Sequence, residues 1–240
     1  MWNDFFAQRD LFNQDGCIHV EGFLKAAESY CSWKDVENSI HRDDVFWELI
    51  AEDGNKKELG MYKPYWSPVP CQEKEVIYEH VRDGGGFVIT GYSRVNRKAK
   101  ALCTEIERHF NVNCDIHCYG TRGGGRSFKA HYDNFSNFII QTVGETKWTV
   151  YKNRATSLFR VQHDKLQEDK LEVEWEGILK PGDLIYIPDR AYHKAEPSTQ
   201  RLSMSIPCLP TIMESEFYDR RYYEIPSLES LEKRYKQTSD

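Results

Sequence analysis

The tripeptide His131-Tyr132-Asp133, set at the head of the apolar run Phe135-Ser136-Asn137-Phe138-Ile139-Ile140-Gln141, constrains the fold more than any other stretch of this chain. Residues two apart on a strand share a face, so on a strand His131 and Asp133 can grip one ion together. A third ligand must then come from a neighbouring strand. His193 is the candidate, because it follows the turn Pro181-Gly182-Asp183 and the apolar segment Leu184-Ile185-Tyr186-Ile187. Two imidazoles and one carboxylate leave three positions of an octahedron open, as in the facial triad of mononuclear non-haem iron(II) centres.

Short strand-like segments surround this stretch. Cys17–Val20, Phe87–Thr90, Val112–Tyr119, Lys147–Tyr151, Ser157–Val161, Leu171–Trp175, Leu184–Ile187 and Arg201–Ile206 read as strands, with glycines at 84–86 and 144 as punctuation. Helical patterns fall elsewhere. Ser32 caps a helix running to His41, Asp43-Asp44 opens a second one carrying Val45, Phe46, Leu49 and Ile50, and Gln72–Arg82 forms a third. Asn96–Phe110 places Ala99, Leu102, Cys103, Ile106 and Phe110 on one helical stripe. Met1–Phe12 is compatible with a helix, and Met213–Tyr223 and Ser227–Tyr235 read as terminal helices. The segment Lys63-Pro64-Tyr65-Trp66-Ser67-Pro68-Val69-Pro70 is too rich in proline for regular structure. Its aromatic residues either border a site or pack as an irregular crossover.

Length and composition set the outer bounds. With 240 residues and 40% hydrophobic content, one sizeable core is expected, organised as a single domain over 1–240. Within it, 1–83 is mainly helical packing, 84–207 the β core and 208–240 terminal helices. A net charge of −6 lacks the basic stripe that a nucleic-acid backbone binder needs. No apolar run approaches the length of a membrane span, so no membrane partner is expected. Seven cysteines, an odd number in a chain too large to need staples, suit a reducing compartment, so the expected location is cytoplasmic.

Two other constellations carry little. Gly120-Thr121-Arg122-Gly123-Gly124-Gly125-Arg126-Ser127 approximates a phosphate-binding loop, yet the motif needs a helix to follow, and a strand follows here. Cys114, His117 and Cys118 are zinc-ligand types, but on one strand the cysteines face one way and the histidine the other. A buried strand with small cysteines is the favoured reading.

The succession of glycines, strand, helix, strand, glycine loop and His-x-Asp resembles the JmjC-type, cupin-like 2-oxoglutarate oxygenases, closest to the ribosomal-oxygenase branch, from about Gly84 to Pro207. The resemblance implies a mainly β fold with helical additions: a double-stranded β-helix, or jelly roll, with N-terminal and C-terminal helices. It implies Fe(II), held by His131, Asp133 and His193, with 2-oxoglutarate and O2 as co-substrates. The family's tyrosine twelve residues before the first histidine falls on Tyr119, and the asparagine of its asparaginyl hydroxylases, six residues after, on Asn137. Its lysine two residues before the strand's tryptophan is absent. Thr146 stands there, with Lys147 next door pointing to the opposite face.

A replacement cation is at hand in Arg201, which shares a strand face with Ser203 and Ser205, the latter aligned with a family serine. The co-substrate set is therefore Tyr119, Asn137, Thr146, Arg201 and Ser205. The implied activity is hydroxylation of a carbon in an amino-acid side chain of a protein or peptide. A free amino acid or small natural product is an alternative substrate, and a non-catalytic metal-binding cupin-like protein is the rival of a different class. The large winged-helix appendage of the ribosomal enzymes finds no room in 240 residues, so a ribosomal target is not implied. The terminal helices could cover a barrel end or pair two subunits as a homodimer.

Overall fold

The computed structural model describes residues 16–62, 71–124, 127–155 and 168–210. The calls on Met1–Phe12, the segment 63–70, the strand at 157–161 and the terminal helices, with the homodimer they would build, lie outside these residues. The described elements are β1 (Ile18–Val20), α1 (Trp33–Ser39), β2 (Phe46–Ile50), β3 (Lys56–Lys57), β4 (Met61–Tyr62), β5 (Cys71–Gln72), α2 (Lys74–Arg82) and β6 (Gly86–Thr90). They continue with α3 (Arg97–Phe110), β7 (Val112–Cys114), β8 (His117–Thr121), β9 (Ser136–Val143), β10 (Thr146–Arg154), β11 (Val173–Leu179), β12 (Leu184–Ile187), β13 (Ala191–Pro197) and β14 (Arg201–Pro210).

The chain is mainly β, in two principal sheets. The larger runs β1-β12-β9-β14-β8-β6-β2-β3, with β7 also paired to β14, and the smaller runs β11-β10-β13. Among the described residues, β4 and β5 pair only with each other. The arrangement is consistent with the jelly-roll expectation. Strand β9 explains the layering: Ser136 through Thr142 are all buried, because helices cover one face of the large sheet and the small sheet covers the other. Phe138 and Ile140 point into the core beneath the helices, with Trp47, Phe87, Ile106 and Met204. Ile139 points the other way, into a second cluster with Trp148, Val150, Ile185 and Ile187 between the sheets.

Local chemistry fixes the helices. Ser32 caps α1 in a reciprocal box with Asp35, a device worth about 1 kcal/mol. Asn96 caps α3 through the amides of Lys98 and Ala99 at 2.9 and 3.2 Å, and the expected stripe of Ala99, Leu102, Cys103 and Ile106 is buried. The tight connection from β9 in the large sheet to β10 in the small one turns on Gly144, at φ +67°, where a Cβ would collide with the Gln200 carbonyl oxygen.

Three expectations need correction. Asp43–Ile50 is not a helix: Phe46–Ile50 is strand β2, with Trp47 opposite Ile89 and Leu49 opposite Phe87 on β6. A short apolar run fits both periods, and pairing with β6 decides. The described residues of the region 1–83 hold five short strands beside two α-helices. The segment Val112–Tyr119 is broken at Asp115-Ile116, where the Asp115 carboxylate accepts from the Ile116 amide at 2.7 Å. The strand begun near Leu171 runs from Val173 to Leu179. Among the described residues, no helix is long and apolar enough to cross a membrane.

Candidate metal centre and co-substrate pocket

His131 and Asp133 are not on one regular strand. His131 forms an isolated antiparallel bridge with His193, and Asp133 lies in the turn that precedes β9. The bridge is double: the His131 amide donates to the His193 carbonyl at 3.1 Å, and the His193 amide returns the bond at 2.8 Å. Asp133 is held by its own backbone, its carbonyl accepting from the Arg190 amide at 2.7 Å. Arg190 adopts φ +57°, a conformation most side chains avoid. His193 follows strand β12, as expected, and lies inside the next strand, β13, whose alternate residues Ala191, His193, Ala195 and Pro197 are buried.

These three routes bring one donor atom each of His131, Asp133 and His193 within 4.8 Å of one another, the only such group of three among the described residues. His131 Nδ1 lies 2.8 Å from the Lys129 carbonyl, and His193 Nδ1 lies 2.9 Å from the Ala191 carbonyl. A carbonyl only accepts, so each Nδ1 carries the proton and each Nε2 keeps the lone pair a metal needs. His193 Nε2 is 3.7 Å from Asp133 Oδ2. Trp148 lies beside His193, with ring centroids 6.1 Å apart.

The cavity at this triad is lined by Tyr119, Asn137, Arg201 and Ser205 of the expected co-substrate set, and by Ser203. Ser205 Oγ donates to Asn137 Oδ1 at 2.9 Å, and Asn137 Nδ2 reaches Asp133 Oδ2 at 3.5 Å, so these two polar residues form a chain leading to the carboxylate of the triad. Thr146 is fully buried on the same face of β10 as Trp148, but it is not among the side chains lining the cavity. Lys147 faces outward and pairs with Glu176 at 3.1 Å.

Arg201 is the electrostatic anomaly. It is 1% exposed, and among the described residues it makes no ion pair with an acid. Its Nη1 donates to Ser203 Oγ at 2.5 Å, its Nη2 approaches Ser127 Oγ at 3.5 Å, and its Nε has no partner among the described residues. Burial pushes this guanidinium down to about 10. Gln141 Oε1, Thr146 Oγ1 and Trp148 Nε1 are likewise buried without partners among the described residues. A native interior rarely leaves such atoms unsatisfied. A divalent cation at the triad and an anionic ligand at Arg201 both fit the donor sets present.

Sequence reasoning missed Ser127 and Phe128, which also line the cavity. They sit in what reads as a flexible glycine connector, and the one signal was a hydroxyl residue four positions before His131. The zinc-ligand types do not share one strand, since Cys114 ends β7 while His117 and Cys118 belong to β8. Cys118 Sγ is buried 3.3 Å from Cys31 Sγ, while Cys114 Sγ reaches the Cys103 carbonyl at 3.5 Å.

Comparison with known proteins agrees with this geometry. The chain matches the histidyl-hydroxylase and lysine-specific demethylase NO66 of Dictyostelium discoideum at 27% identity over 50% of its length and 24% of that protein. It matches the NO66 of Drosophila melanogaster at 27% identity over 82% of its length and 30% of that protein. The chain thus spans under a third of these relatives. Among solved structures, it superposes on the Escherichia coli ribosomal oxygenase YcfD in complex with cobalt and 2-oxoglutarate with a TM-score of 0.60. That likeness, at 18% identity over 88% of this chain and 52% of the other, is one of fold. The model of the JmjC domain matches residues 92–214, just over half of the 240 residues and the whole span from Tyr119 to His193 and Arg201. The chain belongs to the JmjC domain family.

Proposed function

We propose that the chain is an Fe(II)- and 2-oxoglutarate-dependent oxygenase that hydroxylates a carbon of an amino-acid side chain in a protein or peptide. The observation that carries this reading is Arg201, a buried guanidinium without an acidic partner among the described residues, in the same cavity as the triad. An isolated buried charge is costly, and a co-substrate carboxylate offsets that cost. The relatives support the class of chemistry: one is named a histidyl-hydroxylase, and the E. coli oxygenase is seen with 2-oxoglutarate.

His131, Asp133 and His193 would hold the iron, with both imidazoles pinned through Nδ1 so that Nε2 faces the metal. Iron, 2-oxoglutarate and O2 together supply the oxidising chemistry when bound. The protein's own residues orient and exclude. Arg201 seats the far carboxylate with Tyr119 on the facing strand β8, where Tyr119 is registered opposite Ser203. Ser205 and Asn137 steady Asp133, and Trp148, Ile139 and Ala195 keep the cavity wall apolar. Incubation of the iron-loaded chain with a cell-derived peptide library, 2-oxoglutarate and air is expected to give peptides heavier by one oxygen. A library with no such product, under conditions where 2-oxoglutarate is consumed, would move the substrate to a free amino acid or another small molecule.

A further inference from the structure

The two histidines of the triad hold each other through a double backbone bridge, whereas Asp133 lies in a turn outside any ladder. Its carbonyl is held by Arg190, in the turn between β12 and β13, whose amide donates to it at 2.7 Å. The Arg190 carbonyl in turn accepts from the Ala155 amide, just past β10, at 2.9 Å. One residue thus ties the carboxylate arm of the triad to the end of β10 and the start of β13. Both bonds are made with Arg190 at φ +57°, in the left-handed region. There a Cβ crowds the following carbonyl, a cost that glycine escapes and that is highest for a β-branched residue. Strain of this kind persists where surrounding bonds fix it. The side chain stays with the turn: Nε donates to Asp189 Oδ2 at 3.1 Å, and Arg154 donates to the Asp189 carbonyl.

We propose that Arg190 is a positioning residue for the metal centre and that it acts through its backbone. The left-handed turn at 190, and not the guanidinium, sets where the Asp133 carboxylate stands relative to His131 and His193. This rests on the reading of the triad as a metal site. It makes metal affinity depend on which residues can hold φ +57° with a free amide, and not on charge at this position.

The test is the Mn(II) affinity of the full chain, read by electron paramagnetic resonance, with denaturant titration of the metal-free chain to establish that each variant is folded. Arg190→Gly keeps the amide and adopts the turn freely, so its Mn(II) affinity is expected to be within about twofold of the unaltered chain. Arg190→Asn, a residue type that visits the left-handed region, should behave likewise. Arg190→Val is expected to weaken Mn(II) about tenfold, the lower end of what outer partners of a metal ligand are worth. Asp189→Ala removes the partner of the guanidinium and leaves the turn's backbone in place, so it should leave Mn(II) affinity unchanged even where Arg190→Val does not fold. A loss in Arg190→Gly or Asp189→Ala as large as tenfold would assign the effect to the side chain and overturn the proposal. Undiminished affinity in folded Arg190→Val would overturn it as well. If the unaltered chain binds no Mn(II), the metal reading itself fails and takes Arg190 with it.

Discussion

His131 and His193 face each other across a single antiparallel bridge, each donating its backbone amide to the other's carbonyl, with ring centroids 4.5 Å apart. The backbone thus sets the separation of the two imidazoles before any metal arrives. Each ring is also pinned at Nδ1 by a carbonyl two residues earlier in its own chain, Lys129 for His131 and Ala191 for His193.

Removal of a ligand should therefore cost the metal and little else. Asp133→Ala and His193→Ala are expected to lose measurable Fe(II) or Mn(II) binding while keeping a native circular dichroism spectrum, since the paired backbone groups survive both changes. A variant that binds metal as tightly as the unaltered chain would remove that residue from the ligand set.

Arg201→Met exchanges an uncompensated buried charge for an apolar side chain of similar length. The expected result is a gain in stability of roughly 1–3 kcal/mol in denaturant titration, with loss of 2-oxoglutarate binding and unchanged metal affinity. Lys147→Ala should change neither, because Lys147 points to solvent and pairs with Glu176. Equal losses of co-substrate from both variants would contradict the assignment of the anchor.

The same residue predicts a pH dependence. Burial depresses the Arg201 guanidinium to about 10, so in the empty site it is charged below that value and neutral above it. A bound carboxylate favours the charged form. Co-substrate affinity should therefore be level from neutral pH to about 9 and fall by about tenfold per pH unit beyond 10. Titrations with 2-oxobutyrate, which lacks the far carboxylate, should show no such fall.

Ser205→Ala breaks the first link of the chain through Asn137 to Asp133. Outer partners of metal ligands are typically worth about 10- to 100-fold in affinity. A loss in metal affinity near the lower end is expected, with smaller effect on the 2-oxoglutarate constant at saturating metal. The reverse pattern would place Ser205 on the co-substrate instead.

The sequence made the site more legible than the strands around it. His131, Asp133 and His193 converge although the expected geometry for the first two, a shared strand face, is not what brings them together. Side chains two apart in an extended turn held by Arg190 reach the same point. The outward face of Lys147 and the inward face of Thr146 and Trp148 were readable from alternation alone, since β10 is regular there. Strand β13 was not readable: its inward positions are Ala191, His193, Ala195 and Pro197, which give no apolar alternation to detect. Strand β2 was misread because Val45, Phe46, Leu49 and Ile50 also satisfy a helical period, and only the partner strand β6 breaks the tie. Ser127 escaped because its meaning depends on a side chain 74 positions away.

The most direct test of the account is succinate release from 2-oxoglutarate by the purified full chain, with Fe(II) and with the iron chelated, alongside Asp133→Ala. Succinate formed only with iron, and lost in Asp133→Ala, is the predicted result. Tight metal binding at His131, Asp133 and His193 with no succinate above the chelated control, across peptide and small-molecule substrates, would contradict it and make the chain a non-catalytic metal-binding protein.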